Sequence, residues 1–396
     1  MLLKVHLKTL DLNYDCQGRT AESEKELILF GFVNDLINER IRKSAEYFKE
    51  GFISLQCDVW TSQSLLSVLG ISVSFFDVLI QNKITLFLCA QPLPSGKKAV
   101  LLEDAIRKCL ERFGLKLSYF AQGVADAEGA VQNCLVSLLS QSKVYVCLCH
   151  ELATLTRPVF QCAAKPYKLD YCDDLYRFFA RIKRLITFFR MAPKKMRQLK
   201  RLQHGKSKVT LLQWSTTRWD GALFGLARIN RLRTALIEYF VGTSEKYDAT
   251  LPLSEADWKV IPELLVMLFC VHKTTKFLQY KEVCIFSMRP VLLNNLRAWF
   301  QHLKEGKEQK ISIDETVVQC KVRTRLGKLA LNRFLEQFDE RFGNELKLKS
   351  RDADFERKHK EKRVVERLDL FLDPRTRNYS VSCLKASLLR LFKTMF

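Results

Sequence analysis

Two aspartates in this chain stand where a sequence can do phosphoryl chemistry. Asp58 closes an apolar run in Ile53-Ser54-Leu55-Gln56-Cys57-Asp58-Val59-Trp60-Thr61-Ser62. Asp126 closes a second run, in Gln122-Gly123-Val124-Ala125-Asp126-Ala127-Glu128-Gly129, just ahead of a helical pattern. Alone, Asp58 reads as a turn residue and Asp126 as a helix N-cap. On neighbouring strand ends their carboxylates would lie about 4–6 Å apart and could hold Mg²⁺ or Mn²⁺ through oxygen. A metal pair so held activates a water or a 3′-hydroxyl and stabilises the leaving oxygen. A third carboxylate usually completes the cage.

The elements that must position these residues can be read from periodicity. Glu22 to Lys49 is one amphipathic helical pattern, with Leu27, Phe30, Val33, Leu36, Ile37 and Ile41 at spacings of three and four, closed by Gly51. Phe52–Val59, Leu65–Val78 and Ile84–Gln91 then read as three strands in an antiparallel meander. A helix follows over about Lys98 to Phe113, then a strand at Tyr119–Ala125 and a helix at Glu128–Leu139. Val144–Leu148 is a short apolar run, and Glu151–Val159 is helical again. This is an α/β pattern with a mixed five-stranded sheet. In a ribonuclease-H-like order the fourth strand lies beside the first, and Asp58 and Asp126 would end adjacent strands.

From about Tyr167 the strand signal stops, and 167–242, 255–304 and 313–350 read as helix. Four segments result: an N-terminal helical segment (1–50), an α/β core (51–166), an all-α insertion (167–350) and a charged C-terminal segment (351–396).

Charge supplies the second chemical signal. The 65 Lys and Arg outnumber the 43 Asp and Glu of the 396 residues, a net charge of +22, which predicts a polyanionic partner. Arg177 to Lys208 contains no acid at all. Its cations include Arg181, Arg184, Lys194, Lys195, Arg197, Lys200 and Arg201. On a helix Ile182, Leu185, Ile186 and Phe189 share one face, while Arg177, Arg181 and Arg184 share another. The stretch therefore packs one side and offers cations to a nucleic-acid backbone on the other. Pro193-Lys194-Lys195-Met196-Arg197 also reads as a nuclear-import patch.

Several blocks, taken in order, resemble hAT-superfamily DNA transposases (the hobo–Activator group). The run from Ile53 to Ser62, followed by the strand ending Ser74-Phe75-Phe76-Asp77, looks like that family's first catalytic block, and Asp126 falls at its second catalytic aspartate. Cys147-Leu148-Cys149-His150 is similar to its Cys-x-x-His, Thr217-Arg218-Trp219 to its Thr-Arg-Trp, and Leu372-Asp373-Pro374-Arg375 to its Leu-Asp-Pro-Arg. The resemblance implies a ribonuclease-H-like core interrupted by a large helical insertion, a double-stranded DNA partner, possible homo-oligomers and Mg²⁺ or Mn²⁺ in the active form. It also implies that Cys147, His150, Arg218 and Trp219 position DNA near the site. Trp219 reads equally as a core aromatic, Cys147 as a buried strand residue and His150 as a helix N-terminal residue. Cys147 and His150 are two ligands, too few to close a tetrahedral zinc shell. The family's BED zinc finger, third catalytic carboxylate and dimerisation segment have no counterpart in these 396 residues. The sequence thus predicts a DNA binder with impaired cutting, or a non-enzymatic DNA- or chromatin-binding derivative.

Other classes are excluded. Glycine-rich phosphate cradles, CxxC and HExxH are absent. The 13 scattered cysteines read as reduced thiols, and neither a signal peptide nor an 18-residue apolar span is seen. The remaining readings are a generic ribonuclease-H-like nuclease and a helical scaffold whose basic face binds an acidic protein.

Overall fold

Alternation with period two builds the first part of the chain. Ile53, Leu55, Cys57 and Val59 alternate along β1 (Ile53–Thr61), and all four are buried. A computed structural model describes residues 34–61, 66–93, 96–157, 159, 173–204, 207–213, 220–242, 247, 251–278 and 288–346. Two compact units divide the chain, Met1–Tyr145 and Val146–Phe396.

In the first unit β2 (Ser67–Asp77) runs antiparallel to β1, with Cys57 opposite Ile71 and Leu55 opposite Val73, so the apolar faces coincide. β3 (Asn82–Leu93) continues the meander antiparallel to β2. β4 (Phe120–Ala125) pairs with the other edge of β1 in parallel. With β5 (Val144–Val146) the order is β3-β2-β1-β4-β5, a mixed five-stranded sheet. The expected meander and the expected place of the fourth strand beside the first are both present.

Helices close the core of this unit. Ile37 and Ile41 of α1 (34–48), Leu102 and Ile106 of α2 (Ala99–Arg112), and Leu135 and Leu139 of α3 (Gly129–Leu139) share one apolar cluster with the buried face of the sheet. Burial of an aliphatic side chain contributes roughly 1.5–3 kcal/mol. Asp77, fully buried at the end of β2, accepts a hydrogen bond from Arg40 Nη1 at 2.6 Å and one from Leu79 N at 2.9 Å. Leu27, Phe30 and Val33 of the expected first helix lie outside the described residues.

The second unit is built on α9 (Glu255–Leu278). From Val260 to Val271 every residue except Pro262 is buried, as befits a helix that is apolar all round. Packed on it are α4 (Leu148–Thr156), α7 (Asp220–Arg231), α10 (Met288–Lys304) and α11 (Arg325–Leu346). Among the described residues α5 (Asp173–Arg190), α6 (Pro193–Arg201) and α8 (Arg233–Gly242) complete the helices. Among the described residues no helix is long and apolar enough to cross a membrane.

The expectation of an all-α segment over 167–350 does not hold at 309–320. β6 (Gln309–Ile313) and β7 (Thr316–Cys320) form an antiparallel hairpin on α9, with Ile311, Ile313 and Val318 buried. Asp314 and Glu315 make its two-residue turn at φ 48° and 59°, the left-handed conformation that favours Asn-Gly at this place. Each non-glycine residue there costs about 1–2 kcal/mol. Arginines offset that cost: Arg228 Nε and Nη2 donate to Asp314 at 2.6 and 3.1 Å, and Arg231 Nη2 donates to Glu315 at 2.7 Å.

One buried acid joins two helices. Glu263 of α9 accepts from the N–H groups of Arg323 and Thr324, at 2.8 and 3.0 Å, and from Thr324 Oγ1 at 2.6 Å. Thr324 Oγ1 in turn accepts from Gly327 N at 2.9 Å, a helix-capping contact. A Cβ on Gly327 would overlap Glu263 Oε2. Gly327→Ala should therefore lower stability by about 1–3 kcal/mol, as overpacking does, read as a fall in the urea midpoint at unchanged slope.

Candidate functional site

The parallel pairing of β1 and β4 decides where the two aspartates lie. Gln56 pairs with Val124 and Cys57 with Ala125. One step further along both strands, Asp58 comes level with Asp126. Leu55, Cys57, Gly123 and Ala125 are buried, so alternation sends Asp58 to the opposite face, while Asp126 directly follows the last residue of β4. Neighbouring strands lie about 4.8 Å apart. Asp58 is exposed and Asp126 half-buried.

Polar groups hold this face. Gln132, in the second turn of α3, donates from Nε2 to Ala125 O at 3.1 Å and to Asp126 O at 2.7 Å. It thereby fixes the strand end from which Asp126 projects. Gln56 Nε2 donates to Ser74 Oγ at 2.9 Å, which lies 2.7 Å from Thr85 Oγ1. Gln122 Nε2 donates to Ser54 Oγ at 3.2 Å. Beside Asp58, the Trp60 indole lies over Gly70, where a Cβ would come within 2.6 Å of Cζ3. Trp60 and Phe87 are 39% and 60% exposed, a high value for aromatic side chains on a sheet.

What this face can do chemically is limited by its donor count. Two adjacent carboxylates can contribute oxygens to a divalent cation. Among the described residues no group of three or more His, Cys, Asp and Glu is placed to hold a metal ion. The pair thus fits part of a two-metal cage and does not complete one.

Cys147 and His150 belong to the second unit. Cys147 is the N-cap of α4 and His150 lies in its first turn, both half-buried. Arg218 and Trp219 lie outside the described residues, as does the Leu372-Asp373-Pro374-Arg375 block.

The basic stretch forms two helices with different tasks. Along α5, Leu175, Phe178, Phe179, Ile182, Leu185, Ile186 and Phe189 are all buried, the face expected from their spacing. Arg177, Arg184 and Arg190 are exposed. In α6, which begins with Pro193 at a helix-compatible first position, Leu199 is the buried residue. Lys194, Arg197 and Arg201 are exposed, and Lys195 and Lys200 are half-buried. Lys195 Nζ sits 3.7 Å from the centre of the Phe188 ring. Arg190 Nη1 donates to Leu211 O at 3.2 Å, and Gln203 bonds both backbone groups of Val209. These contacts fasten the segment after α6 to the helix pair.

Arg181 is the exception. Its Nη2 donates to Asp257 Oδ1 at 2.9 Å, and the Asp257 side chain is 5% exposed. Asp257 also accepts from Ser254 N and Oγ, at 2.9 and 2.7 Å. That arrangement is the capping box of α9. Arg181 thus balances a buried carboxylate, a structural duty that the acid-free run around it did not announce. Ser254-x-x-Asp257 was legible as a helix start, but its arginine partner, 76 residues away, was not.

No family model matches the chain. The "Putative transcriptional regulator tpeD" of Talaromyces stipitatus is 23% identical over 309 residues, which cover 70% of this chain and 35% of that protein. The chain therefore spans about a third of this relative's length.

The two kinds of arginine separate in one experiment. Arg181→Ala should cost about 3–5 kcal/mol, because it leaves Asp257 buried and unpaired. Arg197→Ala should change stability by no more than about 0.5 kcal/mol. Urea unfolding of both variants provides the check.

Proposed function

We propose that this chain is a DNA-binding protein on a hAT-transposase-like, ribonuclease-H-like core. The cationic surface of α5 and α6 grips the duplex phosphate backbone. The observation that carries the reading is the exposed set Arg177, Arg184, Lys194, Arg197 and Arg201, backed by helices whose other side is packed into the core. Backbone cations of this kind set affinity and its salt dependence, without reading sequence. The order β3-β2-β1-β4-β5, with β4 parallel to β1, supports the ribonuclease-H-like reading. The fungal relative's description as a transcriptional regulator fits a DNA-bound role. Lys194 and Arg197, both exposed, suit nuclear import as well.

On this reading Asp58 and Asp126 are a remnant of the phosphoryl-transfer site. They would lend oxygens to Mg²⁺ or Mn²⁺, whose chemistry is to activate the attacking oxygen and stabilise the leaving one. Among the described residues two carboxylates are in reach of such a metal, and backbone binding is the activity proposed for the chain.

Fluorescence anisotropy of a labelled duplex at stepped salt tests the proposal. Log affinity should fall linearly with log salt, with a slope of about −0.9 for each phosphate contacted. Reversal of Lys194, Arg197 and Arg201 to Glu should weaken every duplex at least about tenfold and flatten that slope. A salt-independent affinity, or a loss confined to one sequence, would overturn it. In the same preparations with Mn²⁺ the duplex should stay essentially uncut. Robust cleavage that Asp58→Asn abolishes would instead restore an enzyme.

A further inference from the structure

A second reactive feature lies on the buried side of the same sheet. β3 carries a bulge between Ile71 and Ser72 of its partner: Ile71 faces Cys89 and Ser72 faces Phe87, leaving Leu88 extra. Bulges re-aim side chains. Here Leu88 is buried, and Cys89 beside it is half-buried and packs against the sheet's apolar core. Cys109 Sγ of α2, 6% exposed, lies within hydrogen-bond distance of Cys89 Sγ, at 3.2 Å. Cys89 also lines a cleft of about 320 Å³, walled by Leu93, Leu101, Lys108, Cys109 and Arg112.

We propose that Cys89 and Cys109 are a redox-sensitive dithiol, in which Cys89 is oxidised through the cleft and Cys109 resolves it to a disulfide tying β3 to α2. Exposure makes the assignment asymmetric. Both thiols line the cleft, but Cys89 is half-buried whereas Cys109 is 6% exposed. The hydrogen bond shared with Cys109 draws the Cys89 thiol below the usual range, and the charge of Arg112 adds to this. The same hydrogen bond, with burial, pushes Cys109 upward. The attacking thiolate therefore forms at Cys89.

The chemistry balances with a hydroperoxide as oxidant. The Cys89 thiolate, its proton released to solvent, attacks the outer oxygen, and the O–O bond breaks. The alkoxide or hydroxide that leaves takes a proton from solvent. Cys89 is then a sulfenic acid, oxidised by two electrons while the peroxide is reduced by two. Cys109 gives up its proton as its sulfur attacks Cys89. The S–O bond breaks, and the hydroxide leaves with that proton as water. The sulfurs close from 3.2 Å to about 2.05 Å.

Peptide mapping of the full-length chain tests this. The reduced protein is exposed to equimolar hydrogen peroxide near neutral pH, blocked with N-ethylmaleimide and digested with trypsin under non-reducing conditions. The expected product joins the fragment of residues 84–97 to that of 109–112, and a reductant releases it. In Cys109→Ser, dimedone should trap a sulfenic acid on Cys89. In Cys89→Ser, Cys109 should remain a thiol. Absence of the cross-link in the wild type would overturn the proposal. So would reaction of Cys89 no faster than that of Cys57, which burial pushes toward the inert thiol.

Discussion

The parallel ladder between β1 and β4 is the constraint on which the candidate site depends. Side chains on a strand alternate with period two, so a slip of one residue in β1 would send Asp58 into the core. Burial of Leu55, Cys57, Gly123 and Ala125 forbids that slip. The position of Asp58 beside Asp126 is thus a by-product of apolar packing on the far side of the sheet. Gln132 then closes the strand end through two backbone carbonyls.

In the second unit the governing demand is different. A helix so rich in cations folds stably only if its other face is buried, because like charges within one turn repel. α5 meets this with seven buried side chains from Leu175 to Phe189. The arginines of this unit are divided in their tasks. Arg181 neutralises Asp257, and Arg228 and Arg231 of α7 are occupied with the hairpin turn at Asp314 and Glu315. The exposed cations of α5 and α6 project from helices whose positions are set by apolar contacts.

Much of this was legible in the sequence, and the exceptions have physical causes. Strand alternation and helix periodicity give β1 to β4, α2 and α3 with boundaries close to those observed, whereas α5 was part of one helical stretch over 167–242. The hairpin at 309–320 escaped, for two reasons. Asp314-Glu315 lacks the glycine or asparagine that marks such a turn, and the conformation is held by arginines far away in the sequence. Ion pairs of that kind leave no local pattern. The aspartates could be singled out as strand-end acids, but their adjacency needed the register, which only the assembled sheet supplies. The bulge that turns Cys89 inward is likewise a property of pairing, since nothing in Leu86-Phe87-Leu88-Cys89 marks it.

That bulge has a further consequence at the margin of the sheet. Among the described residues β3 is an edge strand of 12 residues, and a long straight edge is a template on which other chains can add strands and aggregate. The extra residue at Leu88 bends the edge, and Pro92, four residues on, has no N–H to offer. The edge is thereby made a poor acceptor for a foreign strand. Copies of this chain that associate would have to do so through side chains, not through continuation of the sheet across β3.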